Sequence, residues 1–268
     1  MFPAMPPSPV YIASDAHLGE TSPEMEVAFR NWLEHAADRA GLIFLNGDLF
    51  DFWFEWGSVI PQGHTRLLGT LARIVDAGVP VHLMGGNHDW WGGRYLTDEI
   101  GLTLHYDPVR LELAGSQVLL AHGDGLGRGD LGYKILRGVL RSRVAHRAFS
   151  WLHPDIATRI ARRVSRTDGR HLTATDVERI SDDTPEGEAE GGEPDPRATA
   201  LERWARERLL EDDELDIVIL GHSHQPARVE VAPGRFYLNS GDWLVHATYL
   251  VLRADAPPSL ESWHFESE

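Results

Sequence analysis

Five short apolar segments in this sequence each run into a cluster of polar residues that contains or borders glycine. The segments are rich in Val, Ile and Leu, and they cover residues 10–13, 42–45, 79–84, 117–121 and 217–220. Apolar runs of this length, bounded by glycine, are typical of buried β-strands. One helix is predicted between Pro23 and Gly41 and another over residues 65–77, and this alternation predicts an α/β fold. Near the end of the chain, residues 247–252 and 262–265 predict added antiparallel strands.

The polar clusters at the five strand ends contain carboxylates, imidazoles and one carboxamide. Any one of these groups alone is compatible with a structural role, because a single His at a strand end is more often structural. Five strand ends with the same chemistry indicate a ligand site, since the carboxyl ends of strands form the binding crevice of α/β sheets. The donor types suit Mn²⁺, Fe²⁺, Zn²⁺ or Mg²⁺, and there are enough of them for two ions. The candidate residues are Asp15, His17, Asp48, Asn87, His88, His122, His222 and His224.

Composition excludes several other classes of protein. The sequence has no cysteine, which excludes a disulfide scaffold, a zinc finger, an iron–sulfur site and a thiol nucleophile. Asp and Glu number 41 against 25 Lys and Arg, and a net charge of −16 argues against a nucleic-acid partner. Neither a signal peptide nor an 18-residue apolar run is visible. We therefore expect one cytoplasmic domain spanning residues 1–268.

Two segments depart from the alternating pattern. Residues 131–170 contain ten Lys or Arg and two acidic residues, interleaved with apolar side chains, and this predicts basic amphipathic helices. Residues 181–196 carry seven acidic residues and almost no large apolar group, which predicts a disordered surface loop.

In chain order, the motifs are D-x-H from Asp15, G-D at residues 47–48, G-N-H-D at residues 86–89, H-G-D from His122 and G-H-x-H at residues 221–224. This set resembles the calcineurin-like metallophosphoesterase family. The resemblance implies a sandwich of two mixed sheets flanked by helices (α/β/β/α) with a binuclear metal site at one edge. It implies that one ion is held by Asp15, His17, Asp48 and His224, and the other by Asp48, Asn87, His122 and His222. Asp48 would bridge the two, and His88 matches the imidazole that stabilises or protonates the leaving oxygen in many members.

A narrower resemblance concerns the basic segment. Residues 47–53, 122–125 and 130–133 and the insertion after them resemble the UDP-2,3-diacylglucosamine diphosphatases of lipid A synthesis. That resemblance implies a helical lid at residues 131–170 that covers an acyl chamber. The implied substrate contacts are Trp53, Asp130, Tyr133, Arg159, Arg163 and Arg166. The sequence departs from the family at two places, because many proteobacterial members have Arg where His88 stands, and residues 167–169 do not match the expected Asn-Ser-Lys pattern.

The expected activity is metal-dependent hydrolysis of the pyrophosphate bond of UDP-2,3-diacylglucosamine, giving UMP and 2,3-diacylglucosamine 1-phosphate. Asp48, Asn87 and His88 are expected to be catalytic, with two divalent ions as cofactors, Mn²⁺ ahead of Fe²⁺, Zn²⁺ or Mg²⁺. The partner is expected to be a nucleotide-lipid, with peripheral contact to the cytoplasmic face of the inner membrane through the basic lid. The alternatives are a metallophosphoesterase for a soluble phosphodiester or nucleotide sugar, and a non-catalytic interaction module on the same fold.

Overall fold

The computed structural model describes residues 7–126, 137–139, 141–168 and 195–264, with side chains for all of these except residues 162–168. Within these ranges, the strands are β1 (Val10–Ala13), β2 (Leu42–Leu45), β3 (Val81–Met84), β4 (Thr103–His105), β5 (Val109–Leu113), β6 (Ser116–Leu120), β7 (Ile217–Leu220), β8 (Ala227–Ala232), β9 (Arg235–Asn239), β10 (Thr248–Arg253) and β11 (Ala256–Ser262). The helices are α1 (Pro23–Ala37), α2 (Thr65–Asp76), α3 (Arg143–Ser150), α4 (Pro154–Asp168) and α5 (Pro196–Glu211), with a short π-helix at Tyr95–Glu99.

The strands form two mixed sheets. The first sheet has the order β11-β10-β1-β2-β3-β4, and the second has the order β5-β6-β7-β9-β8. β1 to β4 run parallel, as do β6, β7 and β9, whereas β10, β11, β5 and β8 pair antiparallel with their neighbours. The predicted α/β fold with two mixed sheets and flanking helices is confirmed.

The central strands are apolar throughout because both of their faces are buried. In β1, Val10 and Ile12 pack between the two sheets, whereas Tyr11 and Ala13 pack in the cluster that contains the apolar faces of α1 and α2. The outer face of the second sheet is covered by α5. These contacts place the layers in the order helix, sheet, sheet, helix.

The predicted elements agree with the structure except near the end of the chain. α1 begins at Pro23, where the Ser22 side chain accepts a hydrogen bond from the backbone N–H of Met25 and so caps the helix. β10 lies where a strand was predicted. The next strand, β11, ends at Ser262, and the described residues 263 and 264 after it are not in a strand, so the prediction of a strand over residues 262–265 was wrong. β11 contains Pro257 and Pro258, and it is tolerated as a strand because it lies at the edge of the first sheet.

The basic and acidic segments lie partly outside the described residues. Of residues 131–170, the structure describes 137–139 and 141–168, which contain α3 and α4. Of residues 181–196, it describes Asp195, whose side chain caps α5, and Pro196, which begins that helix. The lid role, the disorder of the acidic segment and the single-domain organisation stay predictions.

Candidate metal centre

The ends of five strands bring the candidate ligands to one edge of the sandwich. Residues 15 and 17 follow β1, 48 follows β2, 87 and 88 follow β3, 122 follows β6, and 222 and 224 follow β7. The two sheets are joined at this edge by Asn46, whose side-chain N–H donates to the carbonyl oxygen of Ala121 at 3.0 Å. The backbone N–H of Gly221 donates to the carbonyl oxygen of His122 at 2.7 Å, which ties the last two strand ends together.

Five candidate ligands have left-handed backbone conformations. Their φ angles lie between 44° and 65°, and the residues are Asp15, His17, Asp48, His222 and His224. Side-chain-bearing residues avoid this region, and each such residue costs about 1–3 kcal/mol, so strain of this kind is characteristic of functional sites. The fold therefore holds these five side chains in a costly arrangement that serves the site.

Two glycines allow the ligand loops to approach one another. A Cβ atom at Gly86 would collide with the carboxylate of Asp48, and one at Gly221 would lie 2.7 Å from Oδ2 of Asp15. Any larger residue at either position would displace a candidate ligand. The glycines that border the motifs thus set the close spacing of the carboxylates.

The candidate ligand atoms form three overlapping groups. Within each group the atoms lie within 4.8 Å of one another, and the groups are Asp15 with His17 and His224, His17 with Asp48 and His88, and Asp48 with His122 and His222. Oδ2 of Asp48 lies 3.1 Å from Nε2 of His122 and 3.9 Å from Nε2 of His17. Asp48 occupies the middle of the cluster, the place that a shared carboxylate requires.

Several polar atoms of the cluster are buried without a hydrogen bond. Among the candidate ligands, this holds for Nε2 of His17, Nε2 of His122 and Oδ1 of Asn87. A buried polar atom without a partner costs about 1–3 kcal/mol, so such atoms call for an explanation. Cations between them would satisfy all three, and the mixture of nitrogen and oxygen donors suits divalent ions. The residues present therefore fit the metal pair that the sequence predicts.

Hydrogen bonds orient two of the imidazoles. Nδ1 of His122 lies 3.0 Å from the carbonyl oxygen of Asn46, so Nδ1 carries the proton and Nε2 points towards Asp48. Nδ1 of His88 lies 2.7 Å from the carbonyl oxygen of Asp51, and its backbone N–H donates to Oδ1 of Asp48 at 2.9 Å. His88 is thus held beside the central carboxylate.

The protonation of the imidazoles differs according to their surroundings. Burial lowers the pKa of His17 and of His222 to about 3, which keeps both rings neutral and their lone pairs available as ligands. Burial also opposes the charged form of His88, but the carboxylate of Asp48 and the hydrogen bonds to Asp51 outweigh it and raise its pKa to about 9. In the metal-free protein His88 is therefore protonated at neutral pH.

Buried carboxylates at the site that were not predicted as site residues include Asp89 and Asp242. Asp89 accepts hydrogen bonds from the backbone N–H groups of Leu49 at 2.7 Å and Gly86 at 2.8 Å, and so ties the loop after β2 to the loop after β3. Asp242 lies after β9 with Oδ2 3.3 Å from Nδ1 of His224. The signal for Asp242 was present in the sequence, because an apolar run followed by Gly-Asp also marks Asp48.

Of the six predicted substrate contacts, one is buried in the core, two lie outside the described residues and three belong to α4. Trp53 is fully buried, stacks on Phe50 and donates from Nε1 to Glu55 at 3.3 Å, so it belongs to the core and offers no surface to a substrate. Asp130 and Tyr133 lie outside the described residues. Arg159 is exposed on α4, and Arg163 and Arg166 belong to the same helix.

A cavity of about 1050 Å³ lies between the loop after His88 and α3. Its lining includes Trp90, Trp91, Tyr106, Arg141 and Arg147. The guanidinium of Arg141 stands 3.4 Å from the centre of the Trp90 ring and 2.6 Å from Oδ2 of the buried Asp124. Arg141 therefore fixes the chain just before α3 to two loops of the site, the one that carries Trp90 after His88 and the one that carries Asp124 after His122. This arrangement was not predicted.

Comparison with known sequences identifies the family. Residues 8–226 match the sequence model of the family described as Calcineurin-like phosphoesterase. The chain belongs to this family. The match spans all five ligand motifs, so the predicted family and the prediction of a metal-dependent hydrolase are confirmed.

Individual relatives are similar over almost the whole chain. A UDP-2,3-diacylglucosamine hydrolase from Porphyromonas gingivalis is 33% identical over 254 residues, which cover 91% of this chain and 94% of the relative. The enzyme of that name from Ectopseudomonas mendocina is 31% identical, with 87% and 90% covered. Among solved structures, a dimetal phosphatase from Danio rerio is 13% identical with a TM-score of 0.43, and the similarity covers 96% of this chain and 99% of that one.

Proposed function

We propose that this protein hydrolyses the pyrophosphate bond of UDP-2,3-diacylglucosamine and releases UMP and 2,3-diacylglucosamine 1-phosphate. The observation that carries the proposal is the extent of the similarity to hydrolases named for that substrate. About nine-tenths of each chain is covered at 31–33% identity. A similarity of this extent goes far beyond the metal motifs, which alone would fit many phosphoesterases.

We assign the residues of the cluster to two metal ions. Asp15, His17, Asp48 and His224 would hold one ion, and Asp48, Asn87, His122 and His222 the other. When bound, two divalent ions stabilise the negative charge that develops on the attacking and leaving oxygens of a phosphoryl transfer. Mn²⁺ is our first choice, ahead of Fe²⁺, Zn²⁺ and Mg²⁺, which the same donor set accepts.

His88 acts on the leaving-group side of the reaction. Its ring packs edge-on against His17 with 4.7 Å between the ring centres, and its Nδ1 is engaged by Asp51. The ring thus lies beside His17 and Asp48, with which it forms one of the three ligand groups, while its Nδ1 is engaged by Asp51. From this position His88 can donate a hydrogen bond or a proton to the oxygen that leaves.

The segment around α3 and α4 offers the chemistry that a nucleotide-lipid needs. The exposed apolar side chains there include Val144 at 79%, Trp151 at 86% and Ile156 at 52% exposure. Exposed arginines at positions 143, 147 and 159 accompany them. Apolar side chains next to guanidinium groups suit a substrate with acyl chains and a diphosphate, and they suit the surface of an anionic bilayer.

We place the protein at the cytoplasmic face of the inner membrane, where such a substrate would be exposed. Among the helices that the structure describes, none combines the length and the apolar character required to cross a bilayer. Contact with the membrane would then be peripheral, through α3 and α4. No part of this proposal requires a nucleic-acid partner.

The experiment is a comparison of kcat/KM on four substrates with one preparation of purified protein and added Mn²⁺. The substrates are UDP-2,3-diacylglucosamine, UDP-glucose, bis(p-nitrophenyl) phosphate and a cyclic nucleotide. The proposal predicts that the lipid substrate is preferred by orders of magnitude. A preference for the cyclic nucleotide or for UDP-glucose would contradict it and would favour a phosphoesterase for soluble substrates.

A further inference from the structure

Asp242 is a buried carboxylate that contacts a candidate metal ligand from outside the cluster. Its side chain is 2% exposed, and its Oδ2 lies 3.3 Å from Nδ1 of His224. On the other side of the same ring, Nε2 of His224 lies 3.5 Å from Oδ1 of Asp15. The imidazole of His224 therefore has one nitrogen next to Asp242 and the other next to the ligand cluster.

The other oxygen of Asp242 is fixed by the backbone. Oδ1 accepts hydrogen bonds from the N–H groups of Leu244, Val245 and His246 at 3.2, 2.9 and 3.0 Å. Rotation of the carboxylate would leave these donors without their acceptor, which is costly in a buried position. Nδ1 of His246 also lies 3.2 Å from Oδ1. Oδ1 is thus occupied, and Oδ2 is presented to His224.

We propose that Asp242 is a positioning residue that fixes the tautomer of His224, with the proton on Nδ1 and the lone pair of Nε2 directed towards the ions. The proposal rests on the metal centre assigned above. Both ring nitrogens face a carboxylate, but Asp15 is assigned to the ions, whereas Oδ2 of Asp242 has no other role in the site. An ionised carboxylate offers acceptors only, so Nδ1, which faces Asp242, is the donor when the ions are bound.

Histidine ligands typically donate their second N–H to a carboxylate or carbonyl. His122, which follows the neighbouring strand β6 of the same sheet, has this arrangement, because its Nδ1 contacts the carbonyl oxygen of Asn46 and its Nε2 faces Asp48.

The variant Asp242→Asn tests this role with little change in shape. Its amide oxygen can still accept from the three backbone N–H groups, so its NH₂ group takes the place of Oδ2 and presents a donor to His224. The ring must then accept at Nδ1 and carry its proton on Nε2, where the proton blocks an ion. We expect the affinity for one of the two ions to fall about 10–100-fold, as measured by calorimetric titration of metal-free protein with Mn²⁺.

Two further variants distinguish the positioning of His224 from general damage to the backbone turn at residues 242–246. His246→Gln alters the other histidine beside Asp242 and leaves the contact with His224, so both ions should bind as in the wild type. In a His224→Ala background, Asp242→Asn should cause no additional loss of affinity. The proposal is overturned if Asp242→Asn binds both ions normally, if His246→Gln loses as much affinity, or if the losses in the double variant add.

A measurement on the wild type covers the case in which Asp242→Asn does not fold. In the zinc-loaded protein, ¹⁵N NMR of the histidine rings should show a proton on Nδ1 of His224, and a zinc ion on Nδ1 instead would overturn the proposal. The same titrations distinguish this proposal from the metal centre on which it rests. A wild-type chain that binds no divalent ion would contradict both, whereas normal binding by wild type and Asp242→Asn would contradict the role of Asp242 alone.

Discussion

At the scale of single residues, Asp48 and His88 lie next to each other but have separable roles. Asp48 belongs to two of the three ligand groups, whereas His88 belongs to one and has its Nδ1 engaged by the carbonyl oxygen of Asp51. We expect Asp48→Ala to abolish turnover and most metal binding, because two ions without a shared carboxylate repel each other. We expect His88→Ala to keep both ions and to lower kcat about 10²–10⁴-fold.

Mass spectrometric metal analysis next to steady-state kinetics checks both variants. Asp107→Ala, a change at an exposed carboxylate outside the three ligand groups, is the control and should behave as the wild type. Two tightly bound ions in Asp48→Ala, or the loss of an ion in His88→Ala, would contradict these assignments.

The sequence predicted which side chains gather at one edge of the fold better than it predicted the residues around them. Each ligand motif places a polar side chain directly after a buried strand, so the geometry of the sheet brings those side chains together without long-range information. Trp53 was misassigned because its position beside Asp48 in sequence says nothing about its side chain, which packs into the core. Asp242 was overlooked because its role depends on a contact with His224, 18 positions earlier in the chain.

At the scale of elements, β3 and β4 carry a pair of histidines that makes the fold sensitive to acid. Nε2 of His105 lies 3.2 Å from Nδ1 of His82 on the neighbouring strand, and both rings pack near Phe44. Burial, and then the neighbouring His105, lowers the pKa of His82 to about 4. The unfolded chain binds that proton near pH 6.5, so the free energy of unfolding must fall as the pH falls from about 6.5 towards 4.

The variant His82→Gln should therefore lose less stability than the wild type over this pH range. Urea denaturation of metal-free protein at about pH 7 and about pH 5 measures the difference. The histidines of the metal cluster titrate in both proteins and cancel in the comparison. Equal losses of unfolding free energy in the two proteins would contradict the prediction.

The position of α3 depends on Arg141, which pairs with Asp124 and covers the ring of Trp90. Arg141→Ala removes both contacts, although Arg137 still lies 2.7 Å from Asp124. A cation–π contact contributes about 0.5–2 kcal/mol, so its loss should make amide hydrogen exchange in α3 faster. We expect the metal content to be unchanged. We also expect kcat/KM to fall more on the lipid substrate than on a small phosphodiester. Arg147→Ala, at an exposed arginine of the same helix, is the control for exchange. Unchanged exchange in α3 of Arg141→Ala would contradict this role.

Long, strongly patterned elements were predictable, whereas short and edge elements were not. The apolar faces of α1 and α2 and the central strands follow from periodicity, because each buries a continuous apolar surface. β4 has three residues and the π-helix has five, which is too short for a periodic pattern. β11 contains two prolines, and only its position at the sheet edge permits them.

At the scale of the whole molecule, basic residues are concentrated in one segment of an acidic chain. The net charge is −16, yet residues 131–170 contain ten Lys or Arg against two acidic residues. Each basic residue near an anionic bilayer contributes about 1 kcal/mol, so we expect the protein to sediment with phosphatidylglycerol vesicles at low salt and to be released by high salt.

The variant Trp151→Ser should weaken this binding, because the exposed indole lines the same cavity as Arg143 and Arg147. Val27→Ser, at an exposed apolar residue of α1 on another part of the surface, is the matched control. Binding that is equal on neutral phosphatidylcholine vesicles, or equal in Trp151→Ser and the wild type, would contradict the assignment of this surface.

The central claim is that the chain cleaves one particular bond with the help of metal ions. The most direct test is mass spectrometry of the products formed from UDP-2,3-diacylglucosamine in the presence of Mn²⁺, after EDTA treatment, and after Mn²⁺ is restored. The account predicts UMP and 2,3-diacylglucosamine 1-phosphate, no products in EDTA, and recovery with Mn²⁺. Release of UDP, which would indicate cleavage at the sugar instead of the pyrophosphate, or undiminished turnover in EDTA would contradict it.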